Sequence, residues 1–373
     1  MSSRFTRLIV FLGLYAFVTT ASATASGAIA RMHVFIVGVG DFDESGTYPH
    51  LDVKDRIQDL EAMFRKSYRL GPNQIKIYSS ETRSDTEQAL AHLTADIRLA
   101  SIAPNSIVFV FVLSHGVSVT GPPRGHDLVI VASNTPKEPK SFDSGRMLGS
   151  DVLQALATIG PGSVAFAFFD TCYSGALDQF NAQFASVFDQ LTVRATALAS
   201  SSSANKAYGF EFTKGLVSWW NSKRDNKLSC TSAVELGKEL KLKNQTPKVV
   251  LSDDDLCLNS IGPNSAILIL LPEHSPGGTV SIVVDDTNEV LGPIPITAYS
   301  RKPLVIASPR RRGHVEFYGL DGEKKWGGED TRVDLISKPY AVIDLGSHTN
   351  PYDPSISPAQ GTNVGMKSSL QLQ

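Results

Sequence analysis

No surplus of positive charge marks this chain: 35 Lys and Arg stand against 37 Asp and Glu in 373 residues, for a formal net charge of −2. A nucleic-acid partner, which announces itself as a basic domain or stripe, is therefore not expected. Beyond the N-terminus no run of about 18–20 apolar residues occurs, so no membrane-spanning element is expected there. No internal repeat is present. Cysteine is scarce as well, with only Cys172, Cys230 and Cys257. In an oxidising compartment an odd number leaves one thiol for another chain or for chemistry.

What is present begins with a leader. Arg4 and Arg7 precede an apolar stretch, Leu8 to Val18, and then small residues, Ala21-Ser22-Ala23-Thr24-Ala25. A positive start, a short apolar core and an A-x-A pattern read as a cleavable secretory signal over residues 1–25. The competing reading is an uncleaved anchor, but the apolar run is short for a span. No cysteine follows the cleavage region, which argues against lipid anchoring. The chain is expected to be exported, periplasmic or secreted, with no stable membrane insertion once the signal is removed.

After the leader, apolar β-rich runs alternate with amphipathic helical patterns. His33 to Gly40, Gln74 to Tyr78, Ile107 to Leu113, Leu128 to Ala132, Ser163 to Phe169 and Val193 to Ala199 read as strands. Val53, Ile57, Leu60 and Phe64 recur at helical spacing. Ser84 and Glu87 form a capping-box signature before Leu90, Leu93 and Ile97. A helix is expected over 150–159, and another carrying Phe180, Phe184, Phe188 and Leu191. This alternation describes an α/β domain over residues 31–271, with a largely parallel sheet covered on both faces. From 272 to 345 short β-like runs separated by Gly, Pro and charged turns predict a small all-β domain of sandwich type. Residues 346–373, rich in Ser, Pro, Asn and Gly, are expected to be disordered.

In open α/β sheets the chemistry gathers at the carboxyl ends of the strands. Two such ends carry reactive residues: IVFVFVL runs into Ser114-His115-Gly116, and VAFAFF runs into Asp170-Thr171-Cys172-Tyr173-Ser174-Gly175. A thiol with an unperturbed pKa of about 8.5 needs a base to become a nucleophile near neutral pH, and His115 can supply it. Glycine after each leaves room for a substrate backbone, and the main-chain N–H groups of Gly116 and Cys172 are natural oxyanion donors. A lone buried Cys is usually inert and a lone His usually structural. The two together, each at a strand end with a glycine within three residues after it, are not usual.

FVLSHG followed by FFDTCYSG resembles the catalytic pair of the caspase/metacaspase superfamily, whose cysteine motif follows its histidine by about 50 residues. The resemblance runs over about residues 33–271. It takes in the first strand, the L-x-x-x-D pattern of Leu51 to Asp55, Ala197 to Ser203 with the following Phe212-Thr213-Lys214-Gly215-Leu216, and Gln245-Thr246-Pro247, similar to bacterial members. It implies a cysteine endopeptidase with Cys172 as nucleophile and His115 as general base, acting on protein or peptide substrates without a cofactor or metal. It further implies a primary pocket in which Asp170 and Asp55 attract Lys or Arg. The plainer readings are a strand-end cap for Asp170 and a solvated helix-start charge for Asp55.

The sequence departs from the family at several points. Leu113-Ser114-His115 lacks the glycine that metacaspases usually carry before the His. Asp127 matches one acid of calcium-dependent members, but Ser133-Asn134 stands where another belongs. Asp253-Asp254-Asp255 reads as a solvated loop, and His126 as a loop residue rather than a rival base. The other functions to weigh are a legumain- or gingipain-like peptidase and a catalytically silent caspase-like binding module. Cys230 and Cys257 are equally consistent with a disulfide and with two reduced thiols. Arg310-Arg311-Arg312 is either a self-cleavage turn or a plain basic one; residues 175–193 hold no Lys or Arg at all.

Overall fold

The computed structural model describes residues 32–42, 48–68, 70–80, 83–99, 102–121, 125–132, 135, 147–160, 162–180, 193–201, 207, 209–222, 231–243, 245–251, 256, 265–270, 277–296, 304–308, 311–336 and 340–344. Residues 1–25, read above as a leader, residues 346–373, Asp253–Asp255, Cys230, Cys257, Arg310 and the Phe184–Leu191 segment lie outside them.

Continuous apolar runs become the central sheet, because each needs cover on both faces. Its strands are β1 (Met32–Val39), β2 (Ile75–Ser80), β3 (Ile107–Leu113), β6 (Val164–Asp170), β7 (Arg194–Ala199) and β8 (Lys248–Leu251), in the order β2-β1-β3-β6-β7-β8. All neighbours are parallel except β8, which runs antiparallel to β7. The largely parallel α/β sheet expected from the sequence is the observed fold.

The two-residue period of the strands sorts their side chains between two cores. Phe109 and Phe111 of β3 meet their register partners Phe166 and Phe168 of β6 as stacked pairs, each 4.9 Å between centroids. Trp220 stands edge-on to Phe168 at 5.5 Å. This face packs on α1 (Lys54–Tyr68), α4 (Glu211–Ser222) and α5 (Ala233–Glu239). The opposite face, with Val108, Val110, Val112, Ala165 and Ala167, packs on α2 (Arg83–Leu99) and α3 (Gly149–Leu156). Because α2 starts at Arg83, Ser84 stands inside the first turn rather than ahead of it. No helix among the described residues is long and apolar enough to cross a membrane.

One pattern the sequence reading assigns to the sheet goes elsewhere. The Leu128–Ala132 run overlaps β5 (Gly125–Ile130), which pairs with β4 (Gly116–Gly121) in an antiparallel ribbon separate from the central sheet. That ribbon starts immediately after His115.

Among the described residues from Ser265 onward, the regular elements are all strands. Strands β10 (Gly278–Val284), β11 (Val290–Ile296), β13 (Arg312–Tyr318) and β14 (Lys324–Asp334) form a four-stranded sheet in the order β11-β10-β13-β14. A three-stranded sheet holds β12 (Leu304–Ser308), β9 (Ser265–Leu270) and β15 (Tyr340–Asp344). Strand β9, which the sequence reading leaves in the first unit, thus pairs with strands of the second. Val280, Ile282, Val315, Phe317, Ile306 and Ile343 share one apolar core. Arg312 is not part of a free turn: it is the first residue of β13, its carbonyl accepts from Asp285 N–H at 3.0 Å, and its side chain pairs with Asp334 at 3.3 Å.

Candidate active site

Parallel register brings the two motifs together. Every pair along β3 and β6, from Ile107↔Val164 to Leu113↔Asp170, keeps one offset of 57 residues. His115 and Cys172 have that same offset, two residues past the last pair, so both leave the same rim of the sheet side by side. Gly116 confirms how close the chains come. A Cβ there would lie 2.3 Å from the Cys172 carbonyl oxygen and 2.8 Å from Thr171 Oγ1. Only glycine permits that approach.

His115 is held on three sides. Its Nε2 donates to the Pro49 carbonyl at 2.8 Å, which fixes the tautomer and leaves Nδ1 as the basic nitrogen. The ring packs against Phe42 (4.8 Å between centroids) and Tyr48 (5.7 Å) in one aromatic cluster. Burial pushes its pKa below the ordinary histidine value, and the Pro49 carbonyl pulls weakly the other way. The ring is accordingly neutral near pH 7, the form that can accept a proton.

Cys172 is half-buried and lies in the turn after β6, where Tyr173 takes a left-handed φ of 57°. A non-glycine residue in that region carries strain, and such residues concentrate at functional sites. The chain then enters a 3₁₀ helix, Ser174–Phe180. The Cys172 thiol donates to the Ala207 carbonyl at 3.7 Å, so the segment after β7 also reaches this rim.

Asp170 continues the parity of Phe166 and Phe168 and therefore faces α4, not the solvent. Its side chain is buried at 3% exposure, and Oδ2 accepts from the Thr213 N–H at 2.9 Å and the Thr213 hydroxyl at 2.7 Å. The nearby Ser200 hydroxyl donates to the Thr171 carbonyl at 3.0 Å, and Asp170 Oδ1 is buried without a hydrogen-bond partner among the described residues. Burial pushes the Asp170 pKa up to about 6, the Thr213 and Ser200 contacts notwithstanding. Asp55 is exposed in the first turn of α1.

Asp127 has a structural partner rather than an open coordination sphere. It is fully buried, accepts the Leu128 N–H at 2.7 Å and the Ser150 N–H at 3.3 Å, and binds the Ser150 hydroxyl, so it ties β5 to the start of α3. No group of three or more His, Cys, Asp or Glu among the described residues is placed to hold a metal.

The sequence reading brought out His115, Gly116, Cys172 and Asp170 but missed Phe42, Tyr48, Pro49, Tyr173 and Thr213. Pro49 acts on His115 from 66 positions away through a backbone carbonyl. No side-chain pattern signals such a contact.

No family model matches the chain, and no curated protein matches its sequence. Among solved structures it is similar to the protein GSU0716 from Geobacter sulfurreducens, with 14% identity over 60% of this chain and 95% of that one, at a TM-score of 0.40. It is also similar to caspase-1 from Spodoptera frugiperda, with 12% identity over 60% of this chain and 88% of that one, at a TM-score of 0.36. Likeness at this level assigns no residue a role.

Proposed function

We propose that the protein is an exported cysteine endopeptidase that cleaves peptide bonds after Lys or Arg. The observation that carries the reading is the shared rim: a thiol and a neutral, tautomer-fixed imidazole leave adjacent parallel strands at the same register. In the proposed reaction the Cys172 proton passes to His115 Nδ1 and the thiolate attacks the substrate carbonyl carbon. The resulting oxyanion is met by the N–H groups of Gly116 and Cys172. His115 then returns the proton to the leaving amine, the C–N bond breaks, and water, deprotonated by the same imidazole, hydrolyses the thioester.

The basic preference rests on Asp170, whose Oδ1 is an unmatched buried acceptor two residues before Cys172, and on Asp55 as a second carboxylate. An arginine or lysine side chain would supply the missing charge partner.

A panel of fluorogenic peptides differing only before the scissile bond tests both parts. The expected result is hydrolysis after Arg and Lys, none after Asp, and no turnover by Cys172→Ala. Hydrolysis that persists in Cys172→Ala overturns the mechanism; equal rates after Asp and Arg overturn the specificity alone.

A further inference from the structure

The described arms of the connection that follows β1, residues 40–42 and 48–51, meet through three successive contacts. Leu51 N–H donates to the Gly40 carbonyl at 3.0 Å, and a Cβ on Gly40 would stand 2.5 Å from the Leu51 carbonyl oxygen, so the two backbones are in direct contact. One position further out on each arm, His50 Nδ1 donates to Asp41 Oδ1 at 2.9 Å. Next, one position beyond Asp41 and two before His50, Phe42 approaches Tyr48, with ring centroids 6.2 Å apart. Pro49 lies between the second and third contacts, and its carbonyl is the one that takes His115 Nε2.

Packing accounts for the first and third of these contacts but not for the second. The His50 and Asp41 side chains are 69% and 33% exposed, so neither is driven there by burial. What their bond does is fix the residue next to Pro49. Without it the Pro49 carbonyl is held by the Leu51 contact on one side and by the packing of the Tyr48 ring on the other, with no polar tie at the residue next to it.

We propose that Asp41 and His50 form a clasp that positions the general base: by tying the Gly40 arm to the Leu51 arm, they hold the Pro49 carbonyl and the Phe42 and Tyr48 rings against the His115 ring. Neither is a catalytic residue, since neither touches the thiol or a substrate atom. They act through Pro49 on the ring, whose placement sets how well Nδ1 can draw the thiol proton. The inference rests on the reading of His115 and Cys172 as a working pair, and its test is separable from peptidase activity.

The readout is the rate at which iodoacetamide alkylates Cys172, followed on the Cys172 peptide by mass spectrometry so that Cys230 and Cys257 do not contribute. Only the thiolate reacts, so the rate and its pH profile report the coupling to His115. Asp41→Ala and His50→Ala are each expected to slow the reaction about two- to fivefold near neutral pH, the scale of an exposed ion pair, and to move the profile to higher pH. The double variant should be no slower than either single one. His50→Asn, which offers an amide N–H close to the place of His50 Nδ1, should restore the wild-type rate. Glu61→Gln, which breaks a comparable exposed pair with Arg65 on α1, should have no effect.

His115→Ala distinguishes the two levels of failure. If it slows alkylation while the Asp41 and His50 variants keep the wild-type rate and profile, the clasp is overturned and the pair stands. If His115→Ala itself leaves the profile unchanged, the pair is overturned and the clasp falls with it.

Discussion

One carboxylate oxygen of Asp170 accepts both the backbone N–H and the hydroxyl of Thr213, so a strand end serves as the N-terminal cap of a helix 43 residues further along. The first turn of α4 thereby gains an acceptor and a negative group at its positive end. The same burial raises the carboxyl pKa to about 6, and a raised acid makes stability depend on pH. The folded state binds the proton more tightly than the unfolded state, so the contribution is full below about pH 4 and is lost as pH rises through about 6. Asp170→Asn keeps an acceptor for Thr213 but cannot ionise. Relative to that variant, the wild type should lose about 3 kcal/mol between about pH 4 and about pH 8. Denaturant titrations of both proteins across that range check this; a difference that stays flat with pH would mean that folding does not raise the carboxyl pKa.

Replacing either member of the pair should remove turnover without unfolding the protein. Cys172→Ala and His115→Ala are each expected to lower kcat/KM by about 10³-fold or more. The double variant should be little worse than either. Steady-state kinetics beside circular dichroism reads this out, and clear additivity of the two losses would mean that the residues act separately.

Gly116→Ala tests the contact between the two motifs. Its methyl group would meet the Cys172 carbonyl at 2.3 Å and Leu128 Cδ1 at 2.8 Å, so the rim must open. Overpacking of this kind costs about 1–3 kcal/mol, and misplacement at the chemistry should reduce kcat by about tenfold or more. Wild-type kinetics in this variant would show that the rim is looser than its spacing implies.

Phe168→Ala removes a ring stacked on Phe111 and met edge-on by Trp220. A loss of about 3–5 kcal/mol is expected. Ile77→Ala on the exposed edge strand β2 should stay within about 0.5 kcal/mol. Thermal or denaturant unfolding separates the two.

Arg312, once its place in β13 is known, is a poor self-cleavage site, because a peptidase needs an extended segment that is not already paired. Incubated wild-type protein should acquire no Cys172-dependent cut after Arg312. Terminal mapping by mass spectrometry against Cys172→Ala decides it.

Strands were the most legible elements, and the reason is burial: a run such as IVFVFVL has no polar side to give to water, and β3 begins and ends where that run does. Leu128 to Ala132 has the same texture yet forms a ribbon with β4, because apolar character specifies burial but not the partner. His115 and Cys172 were visible because each ends such a run. The direction in which Asp170 faces also follows from parity along β6, although its partner Thr213 does not, since that contact depends on how α4 returns to the sheet. Least legible of all was the setting of His115. A proline carbonyl and two aromatic rings from the far side of β1 leave no spacing to recognise.

The constant offset between β3 and β6 has a further consequence for when the site exists. A parallel pair cannot slip by one residue without turning every buried side chain towards the wrong core, so His115 and Cys172, the proposed base and nucleophile, are aligned by the same event that completes the sheet. Before then the chain carries an ordinary histidine and an ordinary thiol, far apart on a flexible polymer. Reactivity is therefore a property acquired late, and all at once. Segments between the two strands can change in length without altering it, whereas one residue inserted within either strand would silence the pair while leaving both residues in place.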